Sequence, residues 1–142
     1  MEVVRRNTDY ALRAMVYLAG HYGDSLASAR ELSQKGYIPY QLACKLLQKL
    51  HKARLVKSCM GPKGGFRLSR ALSKINLLEI ITAIQGKVNL NRCLLRKNIC
   101  PHQKDCKVRM KLAELESLIN TYLGSITLDE LVKSRRGVRR KK

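Results

Sequence analysis

Apolar positions recur at helical spacing along most of the chain, interrupted once by a short stretch of alternating character. The run TDYALRAMVYLAG, residues 8–20, is apolar on most sides and predicts a buried helix starting near Asn7 or Thr8. Ser28, Ala29, Arg30 and Glu31 have the spacing of a capping box, which predicts a short helix over 29–35 stopping at Gly36. Pro39 suits the first turn of a longer helix, in which Leu42, Ala43, Leu46, Leu47 and Leu50 form an apolar stripe. Its other face carries Gln41, Lys45, Gln48 and Lys52. A short helix, a tight turn and a longer amphipathic helix with a basic outer face make a helix-turn-helix.

The segment LVKSCMGPKGGFRLSR, residues 55–70, follows directly. Two alternating runs flank Gly-Pro-Lys-Gly-Gly, which reads as a β-hairpin with a glycine-rich tip, and the ordered combination is a winged helix. Asn76 to Gln85 predicts a helix opened by Asn-x-x-Glu. A polar loop over 87–106 separates it from a long helix ending near Gly124. In that helix Val108, Leu112, Leu115, Ile119 and Tyr122 recur at spacings of four, three, four and three. Such a heptad-like seam either packs on the chain's own core or pairs with a second copy. Thr127-Leu-Asp-Glu130 predicts a short closing helix. The expected fold is mainly α with a small β-hairpin wing. Its divisions are a winged helix-turn-helix at 1–86, the loop at 87–106, a dimerisation helix with its closing helix at 107–132, and a basic disordered tail at 133–142.

Charge sharpens this picture. The chain of 142 residues holds 29 Lys and Arg against 10 Asp and Glu, a formal net charge of +19. Between Glu31 and Glu79 lie ten basic residues and no acid, and a second acid-free stretch follows Glu130 and ends SRRGVRRKK. The first stretch coincides with the helix-turn-helix and wing, so a polyanionic partner is expected. No secretory signal or membrane span is visible, which places the protein in the cytoplasm. No nucleophile with its base, phosphate loop or acid–base carboxylate pair stands out, so no catalysis is expected. Five cysteines remain, three of them at 93, 100 and 106 in the polar loop. In a reducing compartment that clustering suggests metal or redox chemistry more than disulfides. Cys44 and Cys59 read as incidental.

Several motifs in order resemble one family, the winged-helix transcriptional regulators that include IscR, NsrR, RirA and CymR (the Rrf-two family). They are TDYALRAMVYLA at 8–19, LQKLHKARLVKS at 47–58, GPKGGFRLSR at 61–70, INLLEIITAIQG at 75–86, the three loop cysteines, and SITLDELV at 125–132. The resemblance spans about residues 5–132. It implies a homodimer that represses or activates by binding a palindromic operator in double-stranded DNA, tuned in many members by an iron–sulfur cluster. Cys93, Cys100 and Cys106 match the family's three ligand positions, with a 4Fe-4S cluster favoured over a 2Fe-2S cluster. Where some members place a histidine as the remaining ligand, this chain has Arg109. Other members use an N-terminal aspartate from the partner subunit, and Asp9 occupies that place, where its bland reading is a helix-end charge. His102 is the local competitor, and water, a small thiol or nothing complete the options.

On the reading helix, Gln41, Lys45 and Gln48 carry groups suited to base edges, and Tyr40 suits base or phosphate. Lys49, Lys52 and Arg54 suit phosphates, and the wing's Lys63 the adjacent backbone or minor groove. Met60 stands where the family often has an arginine. Two rivals are a DNA-binding regulator without a cluster, with zinc on the three cysteines and His102 or a plain thiol switch, and a basic RNA-associated structural protein.

Overall fold

The computed structural model describes residues 2–21, 26–96 and 100–133. Its elements run α1 (Arg6–Gly20), α2 (Ala29–Gly36), α3 (Tyr40–Lys52), β1 (Val56–Cys59), β2 (Gly65–Leu68), a 3-10 turn (Leu72–Lys74), α4 (Leu77–Gln85), α5 (Arg92–Leu95) and α6 (Lys107–Ser125). Residues 128–133 are helical as well, and the stretch from 134 on, where the basic tail was expected, lies outside the described residues. The helical winged architecture expected from the pattern is therefore present. Helix α1 starts at Arg6, before the predicted Asn7 or Thr8, and its N-cap Arg5 makes no side-chain cap.

The core forms where the apolar faces of α1, α2, α3 and α4 meet. Met15, Leu32, Leu47, Leu50, Leu55, Ile75, Ile80 and Leu128 are fully buried in one cluster. Of the predicted stripe on α3, Ala43, Leu46, Leu47 and Leu50 are buried and Leu42 packs at the margin. Leu128 reaches the core because the closing segment returns beside α4. Leu77 N–H donates to the Ile126 carbonyl (2.9 Å), and Leu128 N–H donates to the Ile75 carbonyl (3.0 Å).

Caps explain the helix boundaries, with two corrections at α2. At α4 the box is complete: Asn76 accepts from Glu79 N–H, and the Glu79 carboxylate accepts from Asn76 N–H. At α2 only half of it forms, since Ser28 Oγ accepts from Glu31 N–H while the Glu31 carboxylate accepts from the Tyr17 hydroxyl at 2.8 Å. That bond, with burial behind it, raises the Tyr17 pKa above its ordinary value. The stop of α2 also differs from expectation, because the left-handed residue is Tyr37, at φ 53°, rather than Gly36.

Strands β1 and β2 pair antiparallel, with Val56 opposite Leu68 and Cys59 opposite Gly65. A third strand-like contact, which no pattern in the sequence predicts, is the bridge between Ala27 and Phe66. It explains the second glycine of the pair at the tip, since a Cβ on Gly65 would sit 2.5 Å from the Ala27 carbonyl oxygen. The wing is thereby pinned to the entry of α2, and so to the helix-turn-helix that it flanks.

Helix α6 packs on α4 and leaves much of its apolar surface uncovered. Val108, Leu115, Leu118 and Tyr122 are 66, 45, 67 and 67 % exposed, while Leu112 and Ile119 are half-buried. Of the predicted seam, Val108, Leu115 and Tyr122 face outward together with Leu118, while Leu112 and Ile119 lie on the covered side.

Candidate nucleic-acid interface and cysteine loop

The outer face of α3 is built by its helical period. At about 100° per residue, Gln41, Lys45, Gln48 and Lys52 fall within one narrow sector, opposite the buried leucines. All four are exposed, and Cys44 is half-buried beside them. Tyr40 and Lys49 lie on opposite flanks of that sector. The Tyr40 ring is half exposed and sits under the Arg30 guanidinium, 5.0 Å from its centroid. The Lys49 ammonium turns away and donates to the Ile84 carbonyl at the end of α4 (3.5 Å). It shares its charge with a helix C-terminus, where cations are favoured. Lys63 and Met60 are exposed on the wing tip, and Met60 is almost wholly in solvent.

Below α3, Arg54 has a left-handed backbone at φ 62° and an exposed side chain. Its carbonyl accepts from the Ser69 hydroxyl, which closes the turn from α3 into the wing. Arg70 pairs with Glu79 at 3.0 Å and joins the far end of the wing to the cap of α4. Two ties therefore hold the hairpin in a set position beside the outer face of α3.

The cysteine loop contains a short helix, α5, where the pattern predicts loop. Cys93 lies on α5 and is half-buried, Cys100 is exposed, and Cys106 is the half-buried N-cap of α6. The Cys106 sulfur accepts from the Arg109 N–H at 3.4 Å. Arg109 Nε and Gln103 Nε2 both donate to the Cys93 carbonyl, at 3.2 and 2.8 Å, and Gln103 also reaches the Arg96 carbonyl at 2.8 Å. Two side chains from the α6 end of the loop thus grip the α5 end. Arg109 could be singled out by its position, but neither grip carries a sequence signal. Leu90 N–H donates to Glu116 of α6 (3.1 Å), which anchors the loop's entry.

These ties bring the segments bearing Cys93 and Cys106 together, but among the described residues no three of His, Cys, Asp and Glu converge as metal ligands. His102 is exposed in a turn closed by Asp105 N–H on its carbonyl (3.2 Å). Asp9 stands on the exposed side of α1 and pairs with Arg13 at 3.0 Å. The donor set suits a cluster chemically, since thiolates are its ordinary ligands.

One more link joins loop and helices. Gln85, the last residue of α4, accepts from the Thr8 hydroxyl (2.7 Å) and the Arg5 N–H (3.1 Å), and donates to the Val3 carbonyl (2.9 Å). Thr8 is fully buried. The start of α1 is therefore fastened to the root of the cysteine loop. Among the described residues no helix is long and apolar enough to cross a membrane.

Comparison with known proteins places this architecture. The family model described as Rrf2, iron-dependent transcriptional regulator, matches residues 4–134. The regulator IscR of Vibrio atlanticus is 34 % identical over 124 residues, covering 87 % of this chain and 71 % of that protein. Among solved structures, IscR of T. potens superposes with a TM-score of 0.76 at 25 % identity, over 93 % of this chain and 87 % of the other. CymR, the global cysteine regulator of B. subtilis, has the same fold, with a TM-score of 0.77 at 22 % identity over 94 % and 98 % of the two chains. Outward polar side chains on α3, the pinned wing and a match over nearly the whole length lead to one conclusion. The chain belongs to the Rrf2 family of DNA-binding winged helix-turn-helix transcriptional regulators, and it is not an enzyme.

Proposed function

We propose that this regulator acts as a homodimer on a palindromic operator, and that its affinity is controlled by an iron–sulfur cluster held by Cys93, Cys100 and Cys106. The observation that carries the reading is the pairing of two uncovered surfaces on one chain. The outer face of α3 offers Gln41, Lys45 and Gln48, and α6 offers Val108, Leu115, Leu118 and Tyr122. A helix of this kind enters the major groove, where Gln and Lys read base edges and Lys52 neutralises phosphate. A twofold dimer sets two such helices about 34 Å apart, or a multiple of that, along the duplex.

The chemistry a cluster supplies when bound is a crosslink between loop thiolates that oxygen, nitric oxide or iron shortage undoes. The chain's own residues transmit its state. Gln103 and Arg109 hold the loop's two ends together, Gln85 ties the loop root to α1, and α1 packs on α3. Recruiting Asp9 as a further ligand from the partner subunit would cost its exposed pair with Arg13, worth only about 0.3–0.5 kcal/mol. A differential stabilisation of about 1.4 kcal/mol between two loop arrangements changes operator affinity tenfold.

The test is anaerobic purification with iron and sulfide analysis, followed by selection from random duplexes and footprinting, repeated for Asp9→Ala. Expected are visible absorption from bound cluster, a symmetric selected site and protection of two half-sites. Zinc without colour would replace the cluster by three cysteines and His102. Metal-free protein whose affinity follows thiol oxidation would make it a thiol switch. Equal affinity for unrelated RNA would overturn the operator reading.

A further inference from the structure

We propose that Arg30, to which the reading above gives no role, is a DNA-backbone contact held in position by the ring of Tyr40. The inference rests on α3 being the duplex-reading helix and adds a residue from α2 to that surface.

Arg30 lies in the first turn of α2, two residues after its cap Ser28, and its side chain is exposed. Two other arginines are neutralised by carboxylates, the exposed Arg13 by Asp9 and the half-buried Arg70 by Glu79. Arg30 has no ion-pair partner among the described residues. Its guanidinium instead lies over the Tyr40 ring, 5.0 Å from the centroid. An aromatic face attracts the cation without cancelling its charge, and it engages the plane of the guanidinium while leaving the N–H edges open.

Position decides what those edges meet. Tyr40 stands a quarter turn or so from the outer sector of α3, on the flank toward α2. When the outer sector lies in the major groove, a flank meets the groove's rim, which is phosphate rather than base. The opposite flank is held differently, since the Lys49 ammonium is bonded to the Ile84 carbonyl. The Arg30 side of the helix thus offers that rim a guanidinium that no carboxylate pairs among the described residues. A guanidinium can give a phosphate two parallel N–H bonds, and the contact with the ring reduces the freedom lost in forming them. Arg30 therefore sets the register of α3 in the groove without reading sequence.

The experiment compares the full-length wild type with variants on the selected operator and on an unrelated duplex, across a salt series. Arg30→Ala is expected to weaken both duplexes by a similar factor, about three- to tenfold, and to lower the slope of log affinity against log salt by about one. Tyr40→Leu, which removes the platform, should weaken binding in the same way. The double variant should fall short of the product of the single effects, because the ring acts through Arg30. Arg30→Gln carries the same test if Arg30→Ala fails to melt like the wild type. Unchanged affinity and salt slope in a folded Arg30 variant overturn the assignment, as does a loss confined to the operator. If Gln41→Ala still shifts base preference in that case, only the role of Arg30 falls. If the wild type prefers no duplex at all, the operator reading falls with it.

Discussion

Tyr37 and Arg54 hold left-handed backbone, at φ 53° and φ 62°. A Cβ in that region costs roughly 1–2 kcal/mol, which is why glycine is common just after a helix. Arg54 follows the end of α3 on the side toward the wing, and its side chain is exposed, so packing does not require it there. A positive charge beside the reading helix is what the position does offer. Arg54→Gly should relieve the backbone and lose some unfolded-state advantage, for a net gain of about 0.5 kcal/mol. The variant is expected to melt a degree or two higher while binding every duplex more weakly, with a salt slope smaller by about one. Thermal melts and a salt titration on one preparation check both halves. Higher stability with unaltered binding would remove Arg54 from the phosphate contacts.

At the level of elements, Gln85 joins two segments that lie almost the whole winged domain apart in sequence. Its amide oxygen serves the Thr8 hydroxyl and the Arg5 N–H, and its amide nitrogen serves the Val3 carbonyl. Gln85→Ala leaves the fully buried Thr8 hydroxyl without this acceptor. An unsatisfied buried group of that kind costs about 1–3 kcal/mol. The expected result is a lower urea midpoint with an unchanged slope. Thr8→Val in the Gln85→Ala background should restore part of the loss, since the buried donor is then gone. If the double variant is no more stable than Gln85→Ala, the hydroxyl does not depend on this bond.

The same contrast between local and distant interactions separates what was legible in the chain from what was not. The α4 capping box, the apolar stripe of α3 and the glycine-rich tip are decided within a few residues, and they appear where the pattern put them. The Ala27–Phe66 bridge and the Gln85 contacts join residues dozens of positions apart and leave no periodic trace. Glu31 shows the competition directly, since its spacing from Ser28 promises a reciprocal cap and the Tyr17 hydroxyl takes the carboxylate instead. In the site, helical period was enough to group Gln41, Lys45, Gln48 and Lys52. It could not tell that Lys49, equally basic, would be drawn to the end of α4. The cysteine loop has no period at all, so its spacing could not reveal the grip of Gln103 and Arg109 on Cys93.

For the whole molecule, the face presented by α6 would decide how two copies meet in the proposed homodimer. Residues 108, 115 and 122 are seven apart, and a second line four residues on (112, 119) or three residues on (111, 118) is equally compatible with a heptad. Spacing cannot choose between these flanks; the chain's own core does, by covering Leu112 and Ile119. The free flank then holds Leu118 and, one heptad earlier, Lys111, whose ammonium pairs with Glu114 at 3.4 Å. A lysine within an apolar seam weakens association but discourages shifted registers. Two substitutions separate the flanks. Leu118→Lys changes a side chain that is 67 % exposed, so the protomer should melt as before while the dimer dissociates in sedimentation. Leu112→Ala should instead lower stability of the fold by about 1–2 kcal/mol, less than for a fully buried leucine, and leave association in place. On the proposed twofold operator, binding would follow assembly: once the copies separate, each half-site binds alone and the gain from linkage, about a hundredfold or more, is lost. Leu118→Lys should therefore abolish the paired footprint without altering the base preference within a half-site, because α3 is untouched. If Leu112→Ala broke the dimer and Leu118→Lys left it whole, the covered and open flanks of α6 would have to be exchanged.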